Sequence, residues 1–473
     1  MALLILSILW AGVIALLLIR AVRQYSFYQI VEPMEDDGEA ALLPAPGTPG
    51  ETGNADVLVG IIQRADGDDG VPTPSPALPR STGGGRQKPR SVGSCSPSVV
   101  VIIPARNEEQ NIGRCLEGLL AQQSPHEIRS IIVIDDRSTD ATGRIVREIV
   151  ERNPVVKLVE GKALETGWAG KPHALCQGAQ VAREILKDAD EDQWLCFTDA
   201  DTAAQPALLR TAVSVAQSRS LDLLSLQPEQ DLIGAWERLI MPCGFFLIAF
   251  TQDVRHANDP DDPNGHANGQ FMLIRRSKYE AVGGYEAMRG EIFEDTAMAR
   301  RIKAANGRVG VMGTKNLIRA RMYHDLASLW QGLSRQAGGL LGSPVACMVA
   351  ALSAIALACV SVFLPIATVA ALVKDGLHGL TLASAACGFA GSLALLGTHI
   401  GAARYFKIPF WYGFLFPIGY LLGAGIAVDA ALNRARGKVA WKGRVIEAQP
   451  SAKAQATGAT NAGNLSRHDV GAL

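Results

Sequence analysis

No Cys-x-x-Cys pair and no other metal-like spacing occurs among the eight cysteines, Cys95, Cys115, Cys176, Cys196, Cys243, Cys347, Cys359 and Cys387. Several lie on apolar faces, which points to reduced, buried thiols rather than a disulfide framework. There is no charge excess either. The 45 basic and 46 acidic residues leave a net charge of −1, so nothing global suggests a nucleic-acid partner. The first apolar run, residues 2–19, holds no charge. No Lys or Arg precedes it and no clear small-x-small site follows it, which reads as a bilayer-length anchor rather than a cleaved leader. Arg20 and Arg23 come directly after it and place the next domain in the cytoplasm. Three later blocks, roughly 345–373, 378–399 and 409–428, also lack Asp, Glu, Lys and Arg, and each is long enough to span.

What is present divides the chain of 473 residues into five parts. Residues 1–22 are an N-terminal transmembrane anchor. Residues 23–97 are a Pro/Gly-rich linker expected to be disordered, with a short apolar patch at Val57–Ile62. Residues 98–343 are a folded cytoplasmic domain, 344–430 are C-terminal transmembrane helices, and 431–473 are a basic segment and a disordered tail. Leu239–Phe250 is apolar, too short to span and interrupted by Pro242; it reads either as an interfacial or re-entrant segment or as a core helix. His378 and His399 sit at the edges of the middle block, where an interfacial position is expected. The spans conflict with one another. One span before the domain and three after it put the C-terminus outside, yet Arg434, Arg436, Lys438, Lys442 and Arg444 follow the last block and prefer the inside. Either one block does not cross, or the block containing Pro365 bends back.

The folded domain reads as α/β. Val99–Ile103 is a buried strand stopped by Pro104, and Asn107 is placed to cap the next helix. Ile112, Cys115, Leu116, Leu119 and Leu120 fall on one helical face. Ile131–Ile134 is a second strand, ending at Asp135-Asp136. A helix with Ile145, Val146, Ile149 and Val150 inside follows, then a strand at Val155–Val159 and a helix around His173–Leu186. Trp194–Thr198 is a strand and so is Gln270–Ile274. Such alternation gives a largely parallel sheet with helices on both faces, and ligands bind at the carboxyl ends of its strands.

That edge collects the chemistry. In Phe197-Thr198-Asp199-Ala200-Asp201-Thr202 the two carboxylates are two residues apart. On extended chain they point the same way and can converge on a hard cation such as Mg²⁺ or Mn²⁺. A carboxylate of Asp135-Asp136 can hydrogen-bond a nucleobase or ribose. Lys171, in Gly170-Lys171-Pro172-His173-Ala174, offers a cation to an anionic or nucleobase oxygen. Glu294-Asp295 supplies a second carboxylate pair, one of which can take a proton from an acceptor hydroxyl. Together these describe group transfer from a nucleotide-activated donor to an alcohol.

The stretches VVVIIPARNEEQNI (99–112), IIVIDDRSTDAT (131–142), GKPHAL (170–175), FTDADT (197–202) and GGYEAMRGEIFEDTAMARRIKAANG (283–307) resemble, in order, those of family 2 glycosyltransferases. The combination of GWAGKPHAL, an N-terminal anchor and a C-terminal membrane block is similar to the hopene-associated glycosyltransferases of hopanoid-producing bacteria. The resemblance implies a Rossmann-like nucleotide-diphospho-sugar transferase (GT-A) domain plus transmembrane helices in the inner membrane. It implies that Pro104, Arg106, Glu108, Asp135, Asp136, Lys171 and Asp199 contact the nucleotide-sugar donor. Asp201, assisted by Asp199, would hold Mg²⁺ or Mn²⁺. Asp295 would be the general base of one inverting displacement, with Glu294 beside the acceptor. The Gln-x-x-Arg-Trp signature of processive members is missing: the nearest stretch, Trp330-Gln331-Gly332-Leu333-Ser334-Arg335-Gln336, has the wrong spacing. That favours a single transfer, with Gln331 and Arg335 near the diphosphate. The expected acceptor is a membrane lipid, a hopanoid or related isoprenoid; the alternatives are a polyprenyl phosphate, a ceramide-like lipid, or a scaffold that keeps the fold without the reaction.

Overall fold

A computed structural model describes residues 1–25, 29–33, 97–123, 127–187, 192–248, 257–291, 293–436, 438–441 and 444–447. Most of the expected linker, including Val57–Ile62, and the expected tail lie outside these residues, as does Lys442. So does Cys95; the other seven cysteines are described and all carry free thiols.

The strands that precede the C-terminal helices are β1 (Ile30–Val31), β2 (Ser98–Ala105), β3 (Glu127–Asp135), β4 (Val156–Glu160), β5 (Gln193–Thr198), β6 (Thr202–Ala204), β7 (Leu223–Gln227), β8 (Glu229–Gln230), β9 (Phe271–Arg275), β10 (Val309–Thr314) and β11 (Ile318–Ala320), and a hairpin of Lys438–Trp441 and Arg444–Glu447 follows those helices. Eight of them form one sheet in the order β1-β10-β7-β9-β5-β2-β3-β4, and β6-β11-β8 form a small second sheet. The run of branched side chains in β2 is what a strand covered on both faces requires. Val99, Val101 and Ile103 enter one apolar cluster with Ile112, Leu116 and Leu119. Val100 and Ile102 enter another with Ala174, Leu175 and Ala179. Helices therefore cover both faces, as expected. The sheet is largely parallel, with one exception: β9 runs antiparallel to both β5 and β7.

Two local expectations are corrected. Pro104 does not stop β2, which continues to pair with β3 through Pro104–Ile134 and Ala105–Asp135. Pairing with β5 has already ended at Ile102–Phe197, so proline sits at the fringe of the sheet, where a missing donor is tolerated. Asn107 is not the helix cap; that position belongs to Asn111, before Ile112–Leu120. Asn107 instead has φ 52°, and its Oδ1 accepts the Thr139 N–H at 2.9 Å, tying the loop after β2 to the loop after β3.

Among the described residues four helices are long and apolar enough to cross a membrane: Ala2–Val22, Pro344–Asp375, Gly379–Tyr405 and Phe410–Ala435. Pro365 lies inside the second, which continues through it without bending back as a separate element. Contacts give the helices direction. Trp10 Nε1 donates to Ser392 Oγ at 3.2 Å and Ser7 lies against Gly388, so the first helix and Gly379–Tyr405 run the same way. Gly388 also faces Leu364 and Thr368, which belong to the oppositely directed Pro344–Asp375. The last block behaves differently. At its start, Lys407 Nζ donates to Glu229 Oε2 of the α/β domain at 3.0 Å. At its end, Arg434 Nη1 donates to the Gly338 carbonyl at 3.2 Å, while Ala430 and Ala431 pack on Cys347 at the start of Pro344–Asp375. Between them Phe416 stacks on His399, 4.8 Å away. The block thus leaves the domain side and returns to it. His399 is correspondingly buried among aromatic rings rather than interfacial, at 3% exposure. The Pro242 segment is a helix, Ala235–Ile248, whose Cys243 thiol donates to the Phe416 carbonyl at 3.6 Å.

Candidate active site

Parallel β5, β2 and β3 are neighbours, so their carboxyl ends share one edge. Two charged groups form there. The first follows β2 and β3. Asp136 is buried, at 3% exposure; Arg106 Nη1 donates to its carbonyl at 2.6 Å and approaches its carboxylate at 4.0 Å. Asp135 Oδ1 accepts the Ser138 N–H at 2.9 Å and so shapes the turn. The Glu108 carboxylate accepts from Asn111 Nδ2 at 2.9 Å. Asn111 also meets His324 Nε2 at 2.9 Å, so Glu108 braces the helix start on this edge.

The second group centres on Lys171, in the first turn of Gly170–Ile185. A cation at a helix N-terminus opposes the helix dipole, and carboxylates overcome that here. Lys171 Nζ lies 2.7 Å from Asp199 Oδ1, 3.0 Å from Asp199 Oδ2 and 3.0 Å from Glu294 Oε1. Burial works against the ammonium, but Asp199 and Glu294 outweigh it and hold Lys171 above its ordinary range. Glu294 opens the helix Glu294–Ala304. It is no solvated helix-end charge: it is buried at 5% exposure and its partner is Lys171. Asp295 Oδ2 accepts the Gly269 N–H at 2.9 Å and Oδ1 accepts its neighbour Thr296 N–H at 2.7 Å. Burial raises both the Glu294 and the Asp295 carboxyl above the usual carboxylate values, with Lys171 opposing. A carboxylate raised in this way is the stronger base.

Gly269 is a site residue that the sequence reading passed over. A Cβ there would stand 3.0 Å from Lys171 Nζ and 3.3 Å from Asp295 Oδ2, so a side chain at 269 would crowd the cluster into which its N–H donates. Its signal was the Asn268-Gly269 pair just before β9. Burial lowers the Arg335 guanidinium, on the helix Leu326–Leu341, with Tyr323, Glu294 and Asp199 opposing.

Asp201 lies past the turn from Asp199. Its carbonyl accepts from Arg321 N–H at 3.0 Å and from Arg114 Nη2 at 3.3 Å. Two buried donors without hydrogen-bond partners flank this turn: Gln270 Nε2 and Arg321 Nε. Gln270 touches it through its carbonyl, which accepts the Asp199 N–H at 3.3 Å. Buried donors of this kind call for an oxygen-rich ligand. Among the described residues no three His, Cys, Asp or Glu side chains group into a metal cage. A turn rather than extended chain joins Asp199 to Asp201, and both Asp199 oxygens lie within hydrogen-bond distance of Lys171; the two carboxylates are of the oxygen type that would suit a hard cation completing its shell from phosphate and water.

Comparison with known proteins fits this arrangement. The description "Glycosyl transferase family 2" matches residues 100–283.

Together with the sheet above, this makes the fold a mixed α/β, GT-A-like one. The chain is 31% identical over 258 residues to 4,4'-diaponeurosporenoate glycosyltransferase of Staphylococcus aureus strain USA300, covering 51% of this chain. The same values hold for strain NCTC 8325. The match spans 62% of the relatives' length. Among solved structures, a mannosyltransferase from Pyrobaculum calidifontis in complex with GDP-Man and Mn²⁺ gives a TM-score of 0.40 at 20% identity, covering 74% of this chain and 91% of that one. Residues 1–349 of S. aureus TarS give 0.32 at 14%, covering 75% and 97%. At such scores no residue role passes from either structure to this chain.

Proposed function

We propose that the protein is a membrane-anchored, inverting glycosyltransferase that moves a sugar from a nucleotide-diphospho-sugar to a lipid acceptor. The observation that carries this is the Lys171–Asp199–Glu294 group, with Glu294 buried, Lys171 and Asp199 partly buried and Asp295 beside them, at the carboxyl edge of a family 2 domain joined to membrane-length helices. In this reading Arg106 and Asp136 hold the nucleoside, with Pro104, Glu108 and Asp135 shaping the loops beneath it. Lys171 and Arg335 face the diphosphate. Asp295 takes the proton of the acceptor hydroxyl while that oxygen forms its bond to the anomeric carbon and the bond to the diphosphate breaks on the opposite face. Glu294 keeps Lys171 charged and in place. Asp201 and Asp199 would hold Mg²⁺ or Mn²⁺, which supplies charge neutralisation for the departing diphosphate.

The relatives' name, 4,4'-diaponeurosporenoate glycosyltransferase, supports a lipid-like acceptor. Within that class we favour a hopanoid or related isoprenoid, on the combination of GWAGKPHAL with membrane blocks at both ends of the chain. The membrane arrangement we propose has three crossings, Ala2–Val22, Pro344–Asp375 and Gly379–Tyr405, with the segment from Lys407 to Arg434 re-entrant. This removes the charge conflict: Arg20 and Arg23 at the end of the first helix and Arg434 and Arg436 at the end of the last then share the cytoplasmic side with the domain. A reporter fused to the chain end should behave as cytoplasmic; export of that reporter would rule the re-entrant arrangement out.

The deciding experiment supplies membranes containing the full chain with a panel of UDP- and GDP-sugars and Mg²⁺ or Mn²⁺, followed by lipid extraction. Wild type should yield a new glycolipid. Asp295→Asn should yield none while still binding the donor. Turnover retained by Asp295→Asn would remove Asp295 from the base role. Donor binding with no product from wild type would favour a protein that has kept the fold and lost the reaction.

A further inference from the structure

Phe293 directly precedes the Glu294-Asp295 pair. Outside the candidate membrane spans, the described large apolar side chains left exposed are Met1, Ile30, Ile233, Trp236, Phe293 and Leu377. Phe293 alone of these adjoins the reactive carboxylates, and it is 39% exposed. Its ring lies on Gly339, where a Cβ would come within 2.3 Å of Phe293 Cζ. Any larger residue at 339 would evict the ring, so the helix Leu326–Leu341 provides a seat for it.

That helix joins the site to the bilayer. Arg335 lies one turn before Gly339, and the charges of Glu294 and Asp199 act on it. On its other side Ser334 Oγ donates to Asp429 Oδ2 at 2.7 Å, Trp330 fills the space over Gly425, and the Gly338 carbonyl accepts from Arg434. The helix ends at Leu341, and Pro344–Asp375 begins with exposed Val345, Met348 and Val349. An exposed aromatic ring therefore stands between the lipid-facing start of a membrane helix and the carboxylate Asp295. An exposed ring gains nothing from water, but it gains apolar contact from a hydrocarbon chain laid across it.

We infer that Phe293 is the apolar lip over which the hydrocarbon chain of the lipid acceptor passes, placing the acceptor's hydroxyl at Asp295. This rests on the glycosyltransferase reading above. Phe293 touches the part of the acceptor that does not react, so it sets acceptor affinity and leaves the donor alone.

The test uses the full chain in lipid nanodiscs, with geraniol and geranylgeraniol as short and long prenyl alcohol probes. Phe293→Ala should lower kcat/KM for geranylgeraniol on the order of tenfold, through KM, as loss of a ring-sized apolar contact predicts. Donor hydrolysis by water should stay within about twofold of wild type, and Phe293→Leu should restore much of the loss. An unchanged KM for the long alcohol overturns the proposal. So does an equal loss for water, which would mark Phe293 as structural. A second readout needs no turnover. A benzophenone amino acid at 293 should crosslink to labelled geranylgeraniol more than the same group at Glu151, exposed beside edge strand β4. Equal labelling at both positions also overturns the lip. Absence of any wild-type turnover, with labelling intact at 293, would sink the enzyme reading and leave a lipid-binding site.

Discussion

Around Lys171 the ammonium, Asp199 and Glu294 answer one another, whereas around Arg106 the charges mostly answer loop groups. Lys171 bridges Asp199 and Glu294 at 2.7 and 3.0 Å, and Asp295 is held by two N–H donors a few ångströms away. Arg106 donates to the Asp136 carbonyl, and Asp135 and Glu108 shape loops. A buried set of mutually dependent charges is costly unless every member stays in place. It also shifts when a charged ligand arrives. Charges spent on loop geometry are insensitive to both. The contrast separates a group suited to reaction from one suited to holding a nucleoside.

The strongest way to break this contrast is Lys171→Met. It leaves Glu294 buried and Asp199 partly buried without their cation, so the protein should lose up to about 3–5 kcal/mol of stability together with its turnover. Urea denaturation of the detergent-solubilised chain measures this. A loss no larger than that of Arg106→Ala would erase the distinction. A subtler test is pH. The base must be deprotonated to work, and burial raises the Asp295 carboxyl. The acid limb of kcat should therefore lie above the usual aspartate range, with rate rising with pH to a plateau. Because Glu294 is raised beside it, that limb belongs to the pair. A limb at the ordinary aspartate value would mean that burial does not tune the base. The smallest effect belongs to the other group. Arg106→Ala removes the hydrogen bonds to the Asp136 and Arg137 carbonyls, each contributing roughly 0.5–1.5 kcal/mol. It should raise donor KM several-fold and leave kcat alone; a fall in kcat instead would move Arg106 into the reacting centre.

Much of the α/β domain was legible because its signals are local. The Val99–Ile103 run, the 3.6-residue spacing of Ile112, Cys115, Leu116 and Leu119, and the carboxylates closing β3 and β5 each declare themselves within a few residues. Antiparallel β9 was not legible, since a run of Phe271, Met272, Leu273 and Ile274 is equally apolar in either direction. Asn107 misled because asparagine serves a helix cap and a left-handed turn alike, and only its partner Thr139 decides between them. Gly269 was passed over because its role comes from two side chains remote in sequence, Lys171 and Asp295.

The sequence by itself determined which segments are strands, helices and membrane-length blocks, because periodicity and transfer of apolar surface depend on the residues in each segment. It also determined which carboxylates end up at strand ends. Only the tertiary structure decided that Lys171 is shared between Asp199 and Glu294, that Phe293 rests on Gly339, and that the last apolar block returns to the side it left. Each of these depends on two segments meeting with a particular direction and register. A single stretch of chain carries no record of which distant stretch will pack against it.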